Sequence, residues 1–534
     1  MKLQSTLKTF IFLLSLTVSL QNISAQLDEE EYNIEELKTK TNPCGINKPL
    51  TLTEAVAYTL ENQMGIKIAI EEVDRQKGVV QEISGAFDPV TAATLQNTNI
   101  ANSQSPTFAT KLSGNITEAT ISESKLFRSG TNVSIQTGIN QVKDPGNFLF
   151  PYNEGNLTVG LNQPLMRGFL YGPFTTAELA GKVAYKASYY DALHTISERL
   201  LDTIINYWNV VSSQKVVEIR KQTVEAFQDL YEKTLRLVEE DQLAKSEINQ
   251  PLANLATAQV DYTASLQQLY RDMQLLRLSL GIIPTQCVSK NTYEAVEDFP
   301  EIFENVDICQ YMNGLICSAY RYRNDIIASR FRETEFKYLL RGAGNDLLPE
   351  LDLIAEYNLT NYKRGPPSRK FFSGGDIGNP DRRATAGVSF SMPFCNNEAK
   401  GRYRRISADL KRAEFETVEL QQTVTADVMR LALNHYHIIQ EVKEAKKAVL
   451  RFEELVVDEG KRLNEGIGSL FNLIDYENNL TSSRETLVLL ERDYAENLSR
   501  LHFSSGSLLS PDTNLCWVDV GDIRKLPDTE DGNY

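Results

Sequence analysis

The residues best suited to bind a metal ion or to catalyse a reaction are few and widely separated in this chain of 534 residues. None of the six cysteines lies in a CxxC pair or in another metal-ligand spacing; they are Cys44, Cys287, Cys309, Cys317, Cys395 and Cys516. Two of the four histidines, His435 and His437, are two residues apart, which places their side chains on different faces of a helix. The sequence therefore predicts no metal site and no cofactor.

The pairing of the cysteines stays open at this stage. Cys44 and Cys516 lie near the two ends of the chain and are candidates for a disulfide in an oxidising compartment. The alternative is that all six are unrelated buried thiols, and the sequence does not decide between the two.

Enzyme and nucleic-acid functions have little support in the sequence. It contains no GxSxG nucleophile turn, phosphate-binding loop, dinucleotide fingerprint or HExxH pair. The 71 acidic side chains outnumber the 55 basic ones, so the formal net charge is −16. A protein that binds nucleic acid needs a basic face toward the phosphates. We therefore expect a protein that is neither an enzyme nor a partner of DNA or RNA.

The first 25 residues have the pattern of a secretory signal peptide. Lys2 and Lys8 supply the positive end, residues 10–20 form the apolar run, and a small-residue cleavage site ends at Ala25. A run of about 11 apolar residues is too short for a transmembrane helix, which needs about 20. We expect the mature chain to leave the cytoplasm and to begin with an acidic segment, residues 26–50.

Long stretches without glycine predict long helices. Residues 182–280 contain no glycine and one proline, while residues 402–459 and 469–505 contain neither residue type. The helices are expected over about 174–282 and about 400–505, each region holding a long outgoing helix and a shorter returning one. In the second region the apolar positions from Val424 to Val456 alternate steps of four and three, which predicts a coiled coil. His435 is the one polar member of that series, and we expect it to be packed in the seam between helices.

The chain also contains an internal duplication. In two regions, about 90–165 and about 350–394, Thr, Asn, Ser and Gly alternate with apolar residues, as is typical of strands with one polar and one apolar face. Each begins after a proline, Pro89 or Pro349, and ends at another, Pro164 or Pro393. The first of these proline-bounded regions is the longer, and it carries 31 extra residues. The predicted units are a first repeat over 51–300, a second over 301–506 and a tail over 507–534.

Several short motifs, in order and duplicated at matched spacing, resemble those of the TolC family of outer-membrane efflux proteins. They are Leu52-Thr53-Glu54-Ala55-Val56, Gln163-Pro164-Leu165 with Met392-Pro393-Phe394 as its second copy, and the segment from Gly466 to Asp475. The resemblance covers roughly residues 50–506. It implies a mainly α, internally duplicated chain that forms a homotrimer. In that trimer a long antiparallel coiled-coil tunnel continues into an outer-membrane β-barrel, with about four strands from each protomer.

The resemblance also implies a function and a set of partners. The protein would be the passive outer-membrane export channel of a tripartite efflux or type I secretion system. It would lie in outer-membrane lipid with a large periplasmic part and would work with a periplasmic adaptor (membrane-fusion) protein and an inner-membrane transporter. The adaptor-docking turns would be Leu243, Ala244, Lys245 and Ser246 in the first repeat and Gly466, Ile467, Gly468 and Ser469 in the second. The pore entrance would carry Asp475, Glu247 and Asn472.

Three questions remain open from the sequence. The alternative function is a secreted structural or adhesive coiled-coil protein, which six N-x-[ST] sequons would suit. The 31 extra residues could form an additional hairpin or a long loop, so residues 115–141 could add strands to the barrel. An acid in the first turns of a helix is also an ordinary helix-start preference, so a pore role for Asp475 or Glu247 is one of two interpretations.

Overall fold

The computed structural model of the chain describes residues 50–104, 111–143, 151–240, 244–282, 295–302, 308–364, 380–465, 467–509 and 523–527. The expected signal peptide, nearly all of the acidic N-terminal segment and most of the C-terminal tail lie outside the described residues, as do Cys44, Cys287 and Cys516. Among the described cysteines, Cys317 and Cys395 are free thiols.

Eight α-helices in the described residues form two similar sets. The first set is α1 (Leu52–Asn62), α2 (Met64–Ser84), α3 (Pro173–Glu239) and α4 (Asn249–Ser279); the second is α5 (Ile308–Tyr322), α6 (Asn324–Asn345), α7 (Asn397–Asn464) and α8 (Leu470–Ser505). The expected long helices are confirmed: α3 has 67 residues and α7 has 68, about 100 Å each. Pro251 lies in the first turn of α4, where its missing N–H leaves no helical bond unmade.

The half-length helices stack end to end beside the long ones. Gly281 follows α4 with a φ of +72°, and a Cβ there would lie 2.5 Å from the carbonyl oxygen of Asn62, the last residue of α1, two residues before α2 begins. Gly506 follows α8 with a φ of +79°, and a Cβ there would lie 2.8 Å from the backbone nitrogen of Arg323, at the start of α6. Glycine is required at both joints because another side chain would fit neither the backbone conformation nor the space. Each half of the chain is therefore two helices wide, and the whole is a wall four helices wide.

The helical segment that precedes each strand region is interrupted once and so forms two helices. Gln63 separates α1 from α2 with φ −67° and ψ 121°, and Arg323 separates α5 from α6 with φ −73° and ψ 119°. Gln63 Oε1 accepts a hydrogen bond from the backbone N–H of Ile66 and so caps the new helix. The two breaks are separated by the same length of chain as Pro89 and Pro349, so the duplication extends to local backbone geometry.

Six strands form one antiparallel sheet in chain order. They are β1 (Val90–Gln104), β2 (Lys111–Leu126), β3 (Asn132–Lys143), β4 (Tyr152–Pro164), β5 (Glu350–Arg364) and β6 (Asp381–Ser391). The fold class is as expected, but the number of strands is six rather than about four. The 31 extra residues of the first repeat account for the difference, because β2 and β3 form an additional hairpin.

The helices bury an extended core instead of one central cluster. Near the middle of the wall the core is built around Tyr207 and Trp208 of α3, which are 0% and 1% exposed. In α7 the seam prediction is confirmed: Val424, Val428 and His435 are all buried. Among the helices that the structure describes, none is both long enough and apolar enough to cross a lipid bilayer.

Candidate functional site

The sheet has two faces of opposite chemistry, because successive residues of a strand point to opposite sides and paired residues share a side. The apolar face holds most of the aliphatic and aromatic residues of all six strands, and many of them are exposed. Its members are Ala93, Leu95, Ala119, Ile121, Val133, Ile135, Ile139, Leu157, Val159, Leu161, Leu351, Leu353, Ala355, Tyr357, Leu359, Ala384, Ala386, Val388 and Phe390.

The polar face is lined mainly by hydroxyl, amide and carboxylate groups. It includes Gln96, Glu118, Thr120, Ser122, Ser134, Gln136, Asn156, Thr158, Glu356, Asn358, Thr385 and Ser389. Here the hydroxyl of Tyr362 donates to Glu154 Oε1 at 3.2 Å. A sheet that is polar on one side and exposes apolar residues on the other is typical of a boundary between water and an apolar medium.

Aromatic residues in and after the strands, a residue type enriched at membrane interfaces, are described in part. The rings of Tyr152 and Tyr362 lie 6.2 Å apart, at the ends of β4 and β5 that are remote from the helices. Tyr357 lies on the apolar face and is 41% exposed. Phe148, Phe150, Phe371 and Phe372 lie outside the described residues.

An ion pair with a buried carboxylate and a half-exposed guanidinium joins the extra hairpin to the helical wall. Arg128, in the turn between β2 and β3, donates from Nε and Nη2 to the two carboxylate oxygens of Glu178, both at 2.7 Å. The side chain of Glu178, in the second turn of α3, is 3% exposed. Burial is the strongest single influence and raises its pKa, but Arg128, the charge of Lys182 and Ser84 together hold that pKa below its usual value.

The rest of the same turn packs closely around the ion pair. The Arg128 guanidinium lies 4.9 Å from the centre of the Phe87 ring. Gly130 has a φ of +88°, and a Cβ there would come within 2.3 Å of the Gly168 carbonyl oxygen. These contacts are not predicted from the sequence. The insertion of 31 extra residues, which contains residues 126–130, was the only signal for them.

The turn between α7 and α8, predicted as an adaptor-docking turn, is tightly folded. Ile467 and Gly468 both donate backbone N–H groups to the carbonyl of Arg462, at 3.0 and 2.9 Å. A Cβ on Gly468 would lie 2.4 Å from the Leu463 nitrogen, so only glycine fits there. Ile467 is 73% exposed. Gly466 lies outside the described residues.

A carboxylate that sequence reasoning missed holds the end of this turn. Glu459 is 6% exposed, and its Oε1 accepts the Ser469 backbone N–H at 2.7 Å. Ser469 precedes α8 and makes no side-chain cap of its own. Glu459 therefore satisfies a backbone group at the helix start that would otherwise have no helical partner.

The first-repeat turn lies between α3 and α4. Leu243 is outside the described residues, while Ala244, Lys245 and Ser246 are exposed and lead into a single 3-10 turn, Lys245–Ile248. Glu247 lies in that turn and is partly exposed. Asp475 and Asn472 are exposed on the first turns of α8, and Asp475 Oδ2 accepts a hydrogen bond from Asn479 at 3.1 Å.

Both turns lie at the end of the wall that is remote from the sheet. One buried apolar cluster near this end joins all four neighbouring helices: Phe227 and Leu230 of α3, Leu255 and Ala258 of α4, Leu463 of α7, and Leu470, Leu473 and Ile474 of α8. Arg220 of α3 adds a polar tie, since it donates to Asp261 of α4 at 3.0 Å and to Glu485 of α8 at 2.8 Å. Burial raises the pKa of Glu485 even though Arg220 opposes that shift.

Nothing in the described part of the chain resembles a metal centre. There, no group of three or more His, Cys, Asp and Glu side chains is arranged to hold a metal ion.

Comparison with solved structures identifies the architecture. The outer-membrane channel CmeC of Campylobacter jejuni superposes with a TM-score of 0.63 at 16% identity, covering 85% of this chain and 85% of CmeC. The outer-membrane protein VceC of Vibrio cholerae gives 0.63 at 14% identity over 85% of this chain and 96% of VceC. The open MtrE outer-membrane channel of Neisseria gonorrhoeae gives 0.59 at 12% identity over 85% of this chain and 88% of MtrE.

This chain has the TolC-like fold. The expected architecture of paired coiled helices continuous with a sheet is thereby confirmed. Of these neighbours, CmeC and MtrE are outer-membrane channels and VceC is an outer-membrane protein. The chain matches no protein-family model and no curated protein sequence.

Proposed function

We propose that the protein is a passive export channel of the outer membrane, formed by three copies of the chain. The observation that carries the proposal is the two-faced sheet at one end of a helical wall about 100 Å long. Strands of 11–16 residues reach or exceed the 9–11 residues that a tilted strand needs to cross a bilayer. The apolar face would contact lipid, and the polar face would line water.

The helical wall supplies the second half of the channel. Strands and helices follow one another without an intervening domain, so a ring of these chains would continue a membrane barrel into a tunnel through the periplasm. The fold is shared, over 85% of the chain, with CmeC and MtrE, which are named as outer-membrane channels. The secreted coiled-coil alternative explains the helices but gives no reason for a sheet with an exposed apolar face.

The tip of the helical wall would be the closed entrance and the adaptor-docking surface. Ile467 is exposed on a tight turn, and Lys245 is exposed on the equivalent turn of the first repeat. We propose that a periplasmic adaptor protein binds these two turns and that an inner-membrane transporter feeds the tunnel. Opening would require the coiled pairs α3/α4 and α7/α8 to move apart where Arg220 ties them together.

The acidic residues near the tip would set ion selectivity at the entrance. Asp475 is exposed, and Glu247 is partly exposed on the equivalent part of the first repeat. A threefold ring of such carboxylates would concentrate cations at a narrow opening. Asn472 is neutral, so it would contribute hydrogen-bonding groups to that ring and no charge.

The test is the oligomeric mass and planar-bilayer conductance of the mature protein extracted in detergent. We expect a trimer that forms small, cation-selective channels, as a mostly closed entrance requires. A monomer or dimer without conductance would overturn the proposal and favour the secreted coiled-coil protein.

A further inference from the structure

The extra hairpin, β2 with β3, is a full part of the sheet. β2 pairs with β1 from Val90↔Ser124 onward, and β3 pairs with β4 from Asn132↔Asn162 to Val142↔Tyr152. The hairpin is therefore inserted between the two strands that a shorter first repeat would pair with each other. It does not lie over the sheet or beside it.

The hairpin also continues the two-faced pattern of its neighbours. On the apolar face Ile121 pairs with Ala93, and Ile135 pairs with Val159. Ile121 is 56% exposed and Ile135 is 47% exposed. On the opposite side the hairpin presents hydroxyl and amide groups such as Ser122 and Gln136. A hairpin folded into a water-filled lumen would have no use for an apolar face aligned with that of the other strands.

The two outer strands, β1 and β6, have a free edge each, and the internal duplication predicts how these edges meet. β4 and β5 belong to different repeats, and they pair so that Pro164 lies opposite Asp352. The equivalent pair at the contact between two copies is β6 of one copy and β1 of the next. In this comparison Pro164 corresponds to Pro393, and Pro349 corresponds to Pro89. If β6 and the β1 of the neighbouring copy pair in the same register as β4 and β5, Phe390 lies opposite Leu95 and Ser391 lies opposite Thr94 of that copy.

The transferred register agrees with the chemistry of both edges. Phe390 and Leu95 lie on the apolar face and are 65% and 78% exposed in the single chain. Ser391 and Thr94 lie on the polar face. Each residue thus meets a partner of its own kind, which a shift by one residue would prevent. A second copy of this chain is therefore the occupant that fits the two free edges.

We propose that three copies close a barrel of eighteen strands, and that this barrel is as wide as the helical tunnel below it. The proposal rests on the trimeric channel proposed above, in which the resemblance to the TolC family implied about twelve strands. With strands about 4.8 Å apart and tilted by about 40°, eighteen strands give a backbone radius of about 18 Å, against about 12 Å for twelve. Twelve helices spaced by 8–10 Å form a ring of roughly 15–19 Å radius.

The consequence concerns the size of the exported molecule. An eighteen-stranded barrel continues the tunnel without narrowing, so the outlet imposes no size limit of its own. The ion pair between Arg128 and Glu178 supports this geometry because it fixes the base of the extra hairpin to the helical wall, at the junction of barrel and tunnel. The cargo class that fits is a bulky solute, and the limit on its size lies at the helical entrance.

The pairing of β6 with β1 of the next copy is tested by disulfide cross-linking between copies. In a chain with all six cysteines replaced by Ser, we expect the pair Thr94→Cys with Ser391→Cys to give about tenfold more covalent dimer and trimer than either single variant. The matched control pairs Thr94→Cys with Gly387→Cys, four residues away along β6, and should remain at the single-variant level. A trimer that conducts ions but gives no excess cross-linking for the first pair would overturn the inference and leave the proposed function standing.

The width of the barrel is tested with a variant that lacks residues 108–146, which contain the extra hairpin. Because this deletion also removes Arg128, the variant carries Glu178→Gln so that no carboxylate is left buried without its partner. Each variant carries Ser389→Cys on the polar face as its only cysteine and is exposed, from the outer side, to maleimide polymers of increasing size. We expect the full-length trimer to react with polymers of about 10 Å radius that the deletion variant excludes. Equal size limits in the two trimers would overturn the inference. If the deletion variant does not assemble, the size limit of the full-length trimer decides: exclusion of polymers of about 7 Å radius would contradict eighteen strands.

Discussion

His435 provides the sharpest test of the helical core. It lies in the seam of α7 at 5% exposure, with its ring 5.2 Å from the Tyr494 ring and neither ring nitrogen hydrogen-bonded within the described residues. Burial lowers the pKa of His435 from 6.5 to about 4. The unfolded chain therefore binds one more proton than the folded chain between these two pH values, so folding stability falls as the pH falls from about 6.5 to about 4.

The size of the effect follows from the two pKa values. At pH 5 the unfolded histidine is almost fully protonated and the folded one is mostly neutral, so the linkage costs about 2 kcal/mol per protomer. For a chain of about 500 residues the unfolding entropy is roughly 1 kcal/mol per kelvin, so that cost corresponds to about 2 °C in melting temperature. We expect His435→Leu to be at least as stable as the natural protein at pH 7.5, because leucine leaves no unpaired polar atom in the seam.

The assay is the difference in melting temperature between pH 7.5 and pH 5, measured on detergent-solubilised protein. Carboxylates also titrate on acidification, but they contribute equally to the natural protein and to His435→Leu. The difference between the two proteins in their change of melting temperature therefore gives the contribution of His435 alone. The difference should be about 2 °C smaller in His435→Leu. His437→Gln, exposed on the same helix, is the matched control and should behave like the natural protein. If His435→Leu kept the full pH dependence, the desolvation argument would be refuted.

Three further outcomes are expected from other parts of the chain. Arg128→Gln leaves Glu178 buried without its bidentate partner and should cost about 1.5–3 kcal/mol of stability, measured as a lower melting temperature. Gly130→Ala should reduce the yield of assembled protein, because the backbone conformation of Gly130 and the nearby Gly168 carbonyl leave no room for a side chain. Gly387 has open space around it, so Gly387→Ala is the control and should assemble normally in the same assay. If Asp475 lines the entrance, Asp475→Asn should weaken cation selectivity in planar bilayers, and unchanged selectivity would remove it from the pore.

Most of the helical architecture could be predicted from the sequence, because breaker-free stretches and a strict 3.5-residue repeat leave few alternatives. The interruptions at Gln63 and Arg323 could not. Both residues are ordinary helix formers, and at each break a glycine that follows a neighbouring helix, Gly281 or Gly506, lies close against the backbone. Such a contact joins segments that are distant along the chain, so it leaves no local signal in the sequence.

The sheet could be predicted in outline but not in strand number. Alternation identified the strand regions, yet the inserted residues are rich in Ser, Thr, Asn and Gly, which serve in strands and loops alike. At the candidate site, sequence reasoning identified the turns and their glycine but missed Glu459, which lies ten residues before the Ser469 that it caps. Arg128 and Glu178 are separated by 50 residues, so their pairing required the fold.

The antiparallel order of the sheet limits how the barrel diameter can change among proteins of this architecture. A single added strand would leave β4 running the wrong way to enter α3, so strands can be gained or lost only as hairpins. In a threefold assembly each such event alters the circumference by six strands at once. The barrel diameter can then change only in steps of six strands. Two proteins of adjacent diameters differ by one hairpin in each chain.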